Sequence, residues 1–143
     1  MNDIKAKAHI FASIFTLANR LQILGDKFDR NLTIKQWLLL ACIYKCESEA
    51  PTISEVAELT GSSRQNVKKM ALILEREGFV HLQKDPNDAR ALRIGLTEKC
   101  RVYFKEREDR ELDFLEKLYI GFDADLIMCL KKAISKLEEN ITE

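Results

Sequence analysis

T-G-S-S-R-Q-N-V-K-K-M-A-L-I-L-E-R-E-G-F-V, residues 60 to 80, is the stretch that decides the fold. Gly61 can end one helix, and Gly78 can end the next. Ser62 can cap this second helix with Gln65 as its reciprocal partner. At helical spacing, the apolar residues of this second helix lie on one face and its polar residues on the other. The apolar face has Val67, Met70, Ala71 and Leu74, and the polar face has Gln65, Lys68, Lys69 and Arg76.

The polar face of this helix carries no acid before Glu75. Its first two turns offer hydroxyls, amides and cations, which are the groups that bind phosphate oxygens and base edges such as guanine N7 and O6. An ordinary surface helix with a solvated outer face is the alternative, and both interpretations stay open on this stretch alone. The candidate DNA contacts are Ser62, Ser63, Arg64, Gln65, Asn66, Lys68 and Lys69.

The length of 143 residues suits one domain, with or without an appended helical arm. The formal net charge of +0 argues against a protein that binds polyanions through a generally cationic surface. The charge is unevenly distributed, because residues 61–93 hold seven basic and four acidic side chains, a local charge of +3. Such a local excess favours binding to a phosphate backbone even when the total is zero.

The amino terminus and the apolar runs indicate a cytoplasmic protein. No apolar run approaches the roughly 20 residues of a membrane span, and the first residues lack the pattern of a signal peptide. The four cysteines are then predicted to be free thiols instead of disulfides, namely Cys42, Cys46, Cys100 and Cys129.

Ahead of the opening stretch, the pattern predicts three helices. The first covers residues 3–24, ends at Gly25, and is apolar over so much of its circumference that contact with a second subunit is expected. The second covers residues 34–45 and opens at a capping pair. Its core face is formed by Trp37, Leu40 and Tyr44 and broadened by Leu39 and Ile43. The third is short, runs from the Thr52 cap through Leu59, and forms a helix-turn-helix with the helix that follows Gly61.

After Gly78 the apolar period changes from helical to alternating, which predicts a β-hairpin. Asp85-Pro86-Asn87-Asp88 lies between the two alternating runs and suits a type I turn. The predicted tip presents Lys84, Arg90 and Arg93, so a cationic wing follows the candidate recognition helix. A plain surface hairpin is the alternative.

The last third of the chain is predicted to be helical. Thr97 can cap a long helix to about Ile120, and its seven consecutive charged residues, 105–111, are typical of a solvated stretch. Asp123 can cap a final helix with an apolar stripe. The predicted architecture is mainly α, with an amino-terminal dimerisation helix and loop in residues 1–32, a winged helix-turn-helix in 33–97, and carboxy-terminal dimerisation helices in 98–143.

These parts, in this order, resemble the MarR family of bacterial transcription regulators. The wing is the most specific part, and Cys100 stands where the family usually has glycine. The likeness covers about the whole chain through Leu32-Thr33-x-x-Gln36-Trp37, Ile53-Ser54-Glu55-Val56-Ala57, Ser63-Arg64-Gln65-Asn66-Val67, Leu74-Glu75-Arg76-Glu77-Gly78-Phe79-Val80, Asp85-Pro86-Asn87-Asp88-Ala89-Arg90-Ala91 and Gly95-Leu96-Thr97-Glu98-Lys99.

The resemblance implies a homodimer that presents two winged helices to a pseudo-palindromic operator in double-stranded DNA, acting as a regulator and expected to be a repressor. By residue matching it places Arg90 in the minor groove, with Asp88 orienting it. The residues that it places at the major groove and its phosphates are Ser63, Arg64, Gln65, Asn66, Lys68 and Lys69.

The resemblance also implies control by a small apolar or phenolic effector. Its pocket would involve Phe11, Phe15, Trp37 and Tyr44, although aromatic residues at this spacing are more often core. One alternative is a redox sensor that uses Cys42, Cys46 or Cys100. Another is a zinc sensor in which Cys42 and Cys46 bind the metal with a distant His9 or His81. Inert free thiols are favoured over both, and we expect neither a resident metal nor a cofactor.

Two other classes of function remain for comparison. An enzyme is disfavoured, because the sequence has no phosphate-binding glycine loop, metalloprotease motif or nucleophile elbow, and His9 and His81 are its only histidines. A winged helix used only for protein association is the other class, and it would not depend on Lys69 or Arg90.

Overall fold

The computed structural model describes residues 2–46 and 50–142, apart from the side chain of Asn2. The chain divides into two compact units, residues 1–102 and 103–143. In chain order the helices and strands are α1 (Asn2–Phe28), α2 (Ile34–Lys45), α3 (Ile53–Thr60), α4 (Arg64–Arg76), β1 (Val80–Lys84), β2 (Leu92–Leu96), α5 (Glu98–Leu118) and α6 (Ala124–Ile141).

The core of the first unit lies where α2, α3, α4 and the hairpin meet. Each of these elements contributes aliphatic side chains that are removed from water, and burying one such side chain contributes roughly 1.5–3 kcal/mol. This is the predicted winged helix-turn-helix. The most completely buried aliphatic side chains are Leu32, Leu39, Leu40, Val56, Leu74, Val80 and Ile94.

Polar caps fix the starts of the helices in this unit. Thr33 and Gln36 form the predicted capping box of α2, and the Thr52 side chain accepts a hydrogen bond from the backbone N–H of Glu55 at the start of α3. Asp26 adds a cap from another helix, because its Oδ1 lies 2.7 Å from the backbone nitrogen of Ile34. These bonds satisfy N–H groups that a helix start leaves without partners.

The predicted end of the first helix at Gly25 is wrong, because α1 continues to Phe28. Gly25 is buried, and a Cβ built on it would lie 2.7 Å from Cδ1 of Ile34. The glycine therefore permits a close approach of α1 to α2 instead of stopping the helix.

The predicted core face of α2 is also partly wrong. Leu40 is fully buried as expected, but Trp37 is half-buried and Tyr44 is 60% exposed. Leu39 and Ile43 supply the remaining buried side chains. The aliphatic members of the predicted face are thus buried, whereas its aromatic members stay partly or largely exposed.

The wing is a two-stranded antiparallel sheet whose register runs from Val80 opposite Leu96 to Lys84 opposite Leu92. The outer edge of β2 also bonds to the segment before α3, because the nitrogen of Ile94 donates to the Pro51 carbonyl at 2.9 Å. An isolated antiparallel bridge between Thr52 and Arg93 therefore attaches the hairpin to the segment before the helix-turn-helix.

The second unit contains most of α5 and all of α6. Asp123 caps α6 as predicted. The charged run of α5 departs from the prediction at Arg107, which is 4% exposed and pairs with Glu111 at 2.8 Å. The apolar stripe of α6 is uncovered in the single chain, with Leu126, Leu130, Ile134 and Leu137 all exposed.

Among the described residues, no helix combines the length and apolar content needed to cross a membrane.

Candidate nucleic-acid interface

The turn before α4 sets the direction in which this helix leaves the core. Gly61 ends α3 with a φ of +71°, a left-handed conformation in which glycine has no steric cost. Ser63, and not the predicted Ser62, is the cap of α4, since its Oγ accepts from the nitrogen of Asn66 at 3.1 Å. Ser62 stays exposed in the turn, and its hydroxyl is not used in this cap.

The outer face of α4 is open to solvent and carries the predicted DNA-contacting side chains. Val67, Ala71 and Leu74 are buried, so the helix is held by one face only. None of the seven contacts predicted in this segment is covered by protein. Two of them lie in the turn before α4, and the other five lie in the first two turns of that helix. The exposed candidates are Ser62, Ser63, Arg64, Gln65, Asn66, Lys68 and Lys69.

The other end of α4 is anchored by three polar contacts. Oε2 of Glu75 accepts from the nitrogen of Leu82 at 2.7 Å, which ties the recognition helix to β1. Thr97 Oγ1 donates to the Gly78 carbonyl at 2.6 Å, and Lys99 Nζ donates to the Glu77 carbonyl at 2.6 Å. These bonds fix the helix relative to the wing.

The loop at the tip of the wing is closed by its own acids. Oδ1 of Asp85 accepts from the nitrogen of Asn87 at 2.9 Å, and Oδ1 of Asp88 accepts from the nitrogen of Arg90 at 3.0 Å. The Arg90 side chain is 97% exposed, with its Nε 3.8 Å from Asp88. Lys84 is exposed as well. Arg90 is thus presented to solvent on a structured loop.

Arg93 does not lie at the tip where the sequence pattern places it. It lies in β2 opposite Gln83, half-buried, and its Nη1 donates to the Ala50 carbonyl at 2.8 Å. Its Nη2 lies 3.0 Å from Oδ2 of Asp85. The guanidinium therefore links the wing to the segment before α3 and belongs to the scaffold of the interface.

The three candidate redox cysteines, Cys42, Cys46 and Cys100, lie in surroundings that disfavour the thiolate. Burial raises the pKa of the Cys100 thiol to about 11, and Arg101 offsets this only in part. Burial also raises the pKa of Cys42, against the effect of Lys45, and raises the pKa of Cys46, with Glu55 adding to the rise. Within residues 2–46 and 50–142, no three histidine, cysteine or acidic side chains are grouped as a metal site requires.

The groove found among the described residues involves none of the four predicted pocket aromatics. Phe11 and Phe15 are exposed on α1 and contact each other edge to face, with ring centroids 5.2 Å apart. The groove, of about 660 Å³, lies between the end of α1, the start of α2 and α4. Its lining includes Asp26, Lys35, Leu38, Lys69, Met70 and Ile73.

Several residues that build this interface escape an analysis of sequence patterns. Lys99 meets Glu77 across 22 positions, and Arg93 meets Ala50 across 43, so no local spacing reports either contact. Glu75 gives a partial signal, since it is the first acid on an otherwise cationic face. The structure explains this acid, because the carboxylate of Glu75 accepts a hydrogen bond from the backbone N–H of Leu82 in β1.

Comparison with known proteins agrees with this geometry. Residues 32–92, which span α2 to the start of β2, match the model of the MarR family. The MarR-family regulator Sco3205 of Streptomyces coelicolor, solved in complex with DNA, is similar with a TM-score of 0.84 and 16% identity, covering 95% of this chain and 88% of that one.

Two further solved structures share the fold. A MarR regulator of Methanosarcina mazei Go1 has a TM-score of 0.81 and 21% identity, covering 93% of this chain and 96% of that one. BpsR of Bordetella bronchiseptica, whose DNA binding is regulated by 6-hydroxynicotinic acid, has a TM-score of 0.71 and 17% identity, covering 88% and 98%. Residues 32–92 of this chain thus match the MarR family, and the chain has the fold of MarR-family transcription regulators.

Proposed function

We propose that this protein is a homodimeric repressor that binds a pseudo-palindromic operator and releases it when a small effector binds. The observation that carries the proposal is the outer face of α4, where Arg64, Gln65, Lys68 and Lys69 are all exposed on one rigid helix. A helix with this face fits the major groove, where amides and cations meet base edges and phosphates.

The wing supplies a second point of contact. Arg90 is presented on a loop that Asp85 and Asp88 close, so little backbone entropy is lost when it binds. A guanidinium at such a tip suits the negative potential of a narrow minor groove. The bonds from Glu75, Thr97 and Lys99 keep the recognition helix and the wing in one arrangement, so that both can engage one half-site.

The exposed apolar side chains support a dimer. Helix α6 has no buried residue in the single chain, although its stripe is aliphatic. Helix α1 exposes Ile4, Phe11 and Phe15 in the same way. Extended apolar faces like these usually mark contact sites, and a second copy of the chain would cover them symmetrically.

The groove beside α4 supports control by an effector. Lys35 and Lys69 are exposed there, against the single acid Asp26, over an apolar floor that includes Met70 and Ile73. A small apolar or phenolic molecule with an acidic group suits this lining. Because Lys69 and Asn66 belong to both the groove and the proposed DNA surface, such a molecule would compete directly with DNA.

The cysteine alternative has less support. A redox or zinc sensor needs thiolates, and burial raises the pKa of Cys42, Cys46 and Cys100. Effector control is therefore the mechanism that the described residues favour.

The proposal can be tested with the purified full-length chain. Selection from a random duplex library should enrich one inverted repeat, and sedimentation equilibrium at micromolar concentration should give a dimer. Addition of 6-hydroxynicotinic acid or salicylate should weaken binding in a gel-shift assay, whereas peroxide or zinc should not. A monomer, or a library with no enriched sequence, would contradict the proposal.

A further inference from the structure

Leu72 is the one apolar side chain of α4 that its core-facing pattern does not explain. Val67, Ala71 and Leu74 are buried, and Met70 and Ile73 are half-buried, whereas Leu72 is 47% exposed. Single exposed leucines are common on protein surfaces, so its exposure alone carries no meaning. The residues beside Leu72 on the helix are what indicate a function for it.

Leu72 lies in the middle of the cationic outer face. Gln65, Lys69, Leu72 and Arg76 follow one another at spacings of four, three and four residues, which places them in one row along the helix. Side chains on a helix lean toward its amino terminus. Leu72 therefore covers the surface over the turn that carries Lys68 and Lys69, where the helix would enter a groove.

We propose that Leu72 contacts the C5-methyl group of a thymine in the major groove and is thereby a specificity-determining residue. The inference rests on the proposed function and names the base that this position prefers. A leucine can neither donate nor accept a hydrogen bond, and thymine alone presents an apolar group in the major groove. A lysine in the same place would strengthen binding to DNA of any sequence through the phosphates. A leucine lacks this attraction and favours only sites that present a thymine methyl group.

The test removes one methyl group at a time from the DNA. Duplexes enriched by the wild-type chain are remade with deoxyuridine in place of each thymine, which deletes only the C5-methyl. Wild type should lose about fourfold in affinity at one thymine of each half-site, as expected when about one buried methyl is lost. Leu72→Ala should bind the two duplexes equally at that position.

The readout is the ratio of the two dissociation constants, so a general loss of affinity in the variant does not affect it. Leu72→Ala should fold, because the site is exposed and alanine favours helices. Leu59→Ala is the matched control, since Leu59 is 57% exposed on α3 and lies outside the row. This control should keep the fourfold ratio.

Three results would overturn the inference. Wild type could prove insensitive to every deoxyuridine, or Leu72→Ala could retain the wild-type ratio at the sensitive thymine. Either result, with a normally enriched operator, removes the role of Leu72 and leaves the proposed function in place. A library in which wild type enriches no sequence would remove both.

Discussion

Arg93 holds Asp85 in an ion pair, with Nη2 of the arginine 3.0 Å from Oδ2 of the aspartate. The same guanidinium donates through Nη1 to the Ala50 carbonyl at 2.8 Å. One side chain thus joins the first residue of the wing loop to the segment that precedes α3. The orientation of the wing relative to the helix-turn-helix depends on this residue.

Asp85 should therefore make folding stability depend on pH, and Asp85→Asn should remove this dependence. The backbone N–H of Asn87 and the charge of Arg93 lower the pKa of Asp85 from its ordinary value of 3.8. A carboxyl whose pKa is lower in the folded state stabilises the fold above its ordinary pKa, and this stabilisation disappears as the pH falls through the lowered value. Wild type should have the higher melting temperature at pH 6, and the difference from Asp85→Asn should shrink near pH 3.

Circular dichroism melts of both proteins across this range would measure the effect. A difference of the same size at pH 6 and pH 3 would show that the charge of Asp85 is not involved. Arg93→Met tests the other partner and should also lower the melting temperature. It should weaken binding to all duplexes by a similar factor, because its role is to position the wing.

Arg90→Ala should weaken operator binding roughly tenfold, with the melting temperature unchanged. The Arg90 side chain is 97% exposed, with its Nε 3.8 Å from Asp88, so we expect the fold not to depend on it. Fluorescence anisotropy at physiological salt would measure the affinity. Lys117→Ala, which removes an exposed cation from α5, serves as the control for total charge. If Arg90→Ala binds the operator as tightly as wild type, Arg90 contributes nothing to DNA affinity and the wing has no role in the proposed interface.

Gly25→Ala should destabilise the protein by about 1 kcal/mol, because two opposed effects differ in size. Alanine within a helix gains about 1 kcal/mol over glycine, but overpacking a buried site costs roughly 1–3 kcal/mol. The new Cβ would lie 2.7 Å from Cδ1 and 2.9 Å from Cγ1 of Ile34.

Urea unfolding would measure this change, and a double-mutant cycle identifies its cause. Ile34→Val removes the nearest carbon, so the alanine should be better tolerated in the Ile34→Val background than in wild type. Equal costs in both backgrounds would place the strain elsewhere.

Cys100 should resist alkylation in the native protein. Burial raises the pKa of its thiol to about 11, so almost no thiolate is present at pH 8. Iodoacetamide followed by peptide mass spectrometry should leave Cys100 unlabelled until urea is added. Rapid native labelling at this cysteine would reopen the redox alternative.

The local elements of this protein were accessible from its sequence because each rests on contacts between near neighbours. The capping box of Thr33 and Gln36, the left-handed turn at Gly61 and the tight turn after Asp85 each involve residues at most a few positions apart. The cationic face of α4 follows from helical periodicity in the same way. These features predicted the winged helix-turn-helix and its candidate DNA contacts.

The tertiary structure alone decided which of several compatible roles each residue takes. Gly25 could stop a helix or admit a neighbour, and the approach of Ile34 selects the second role. Arg93 could reach DNA or support the wing, and its bond to the Ala50 carbonyl, distant in sequence, selects the second role. Periodicity describes one element at a time, whereas burial and ion pairing depend on which element packs opposite. For that physical reason the sequence by itself determined the elements and their outward chemistry, and only the packing determined their partners.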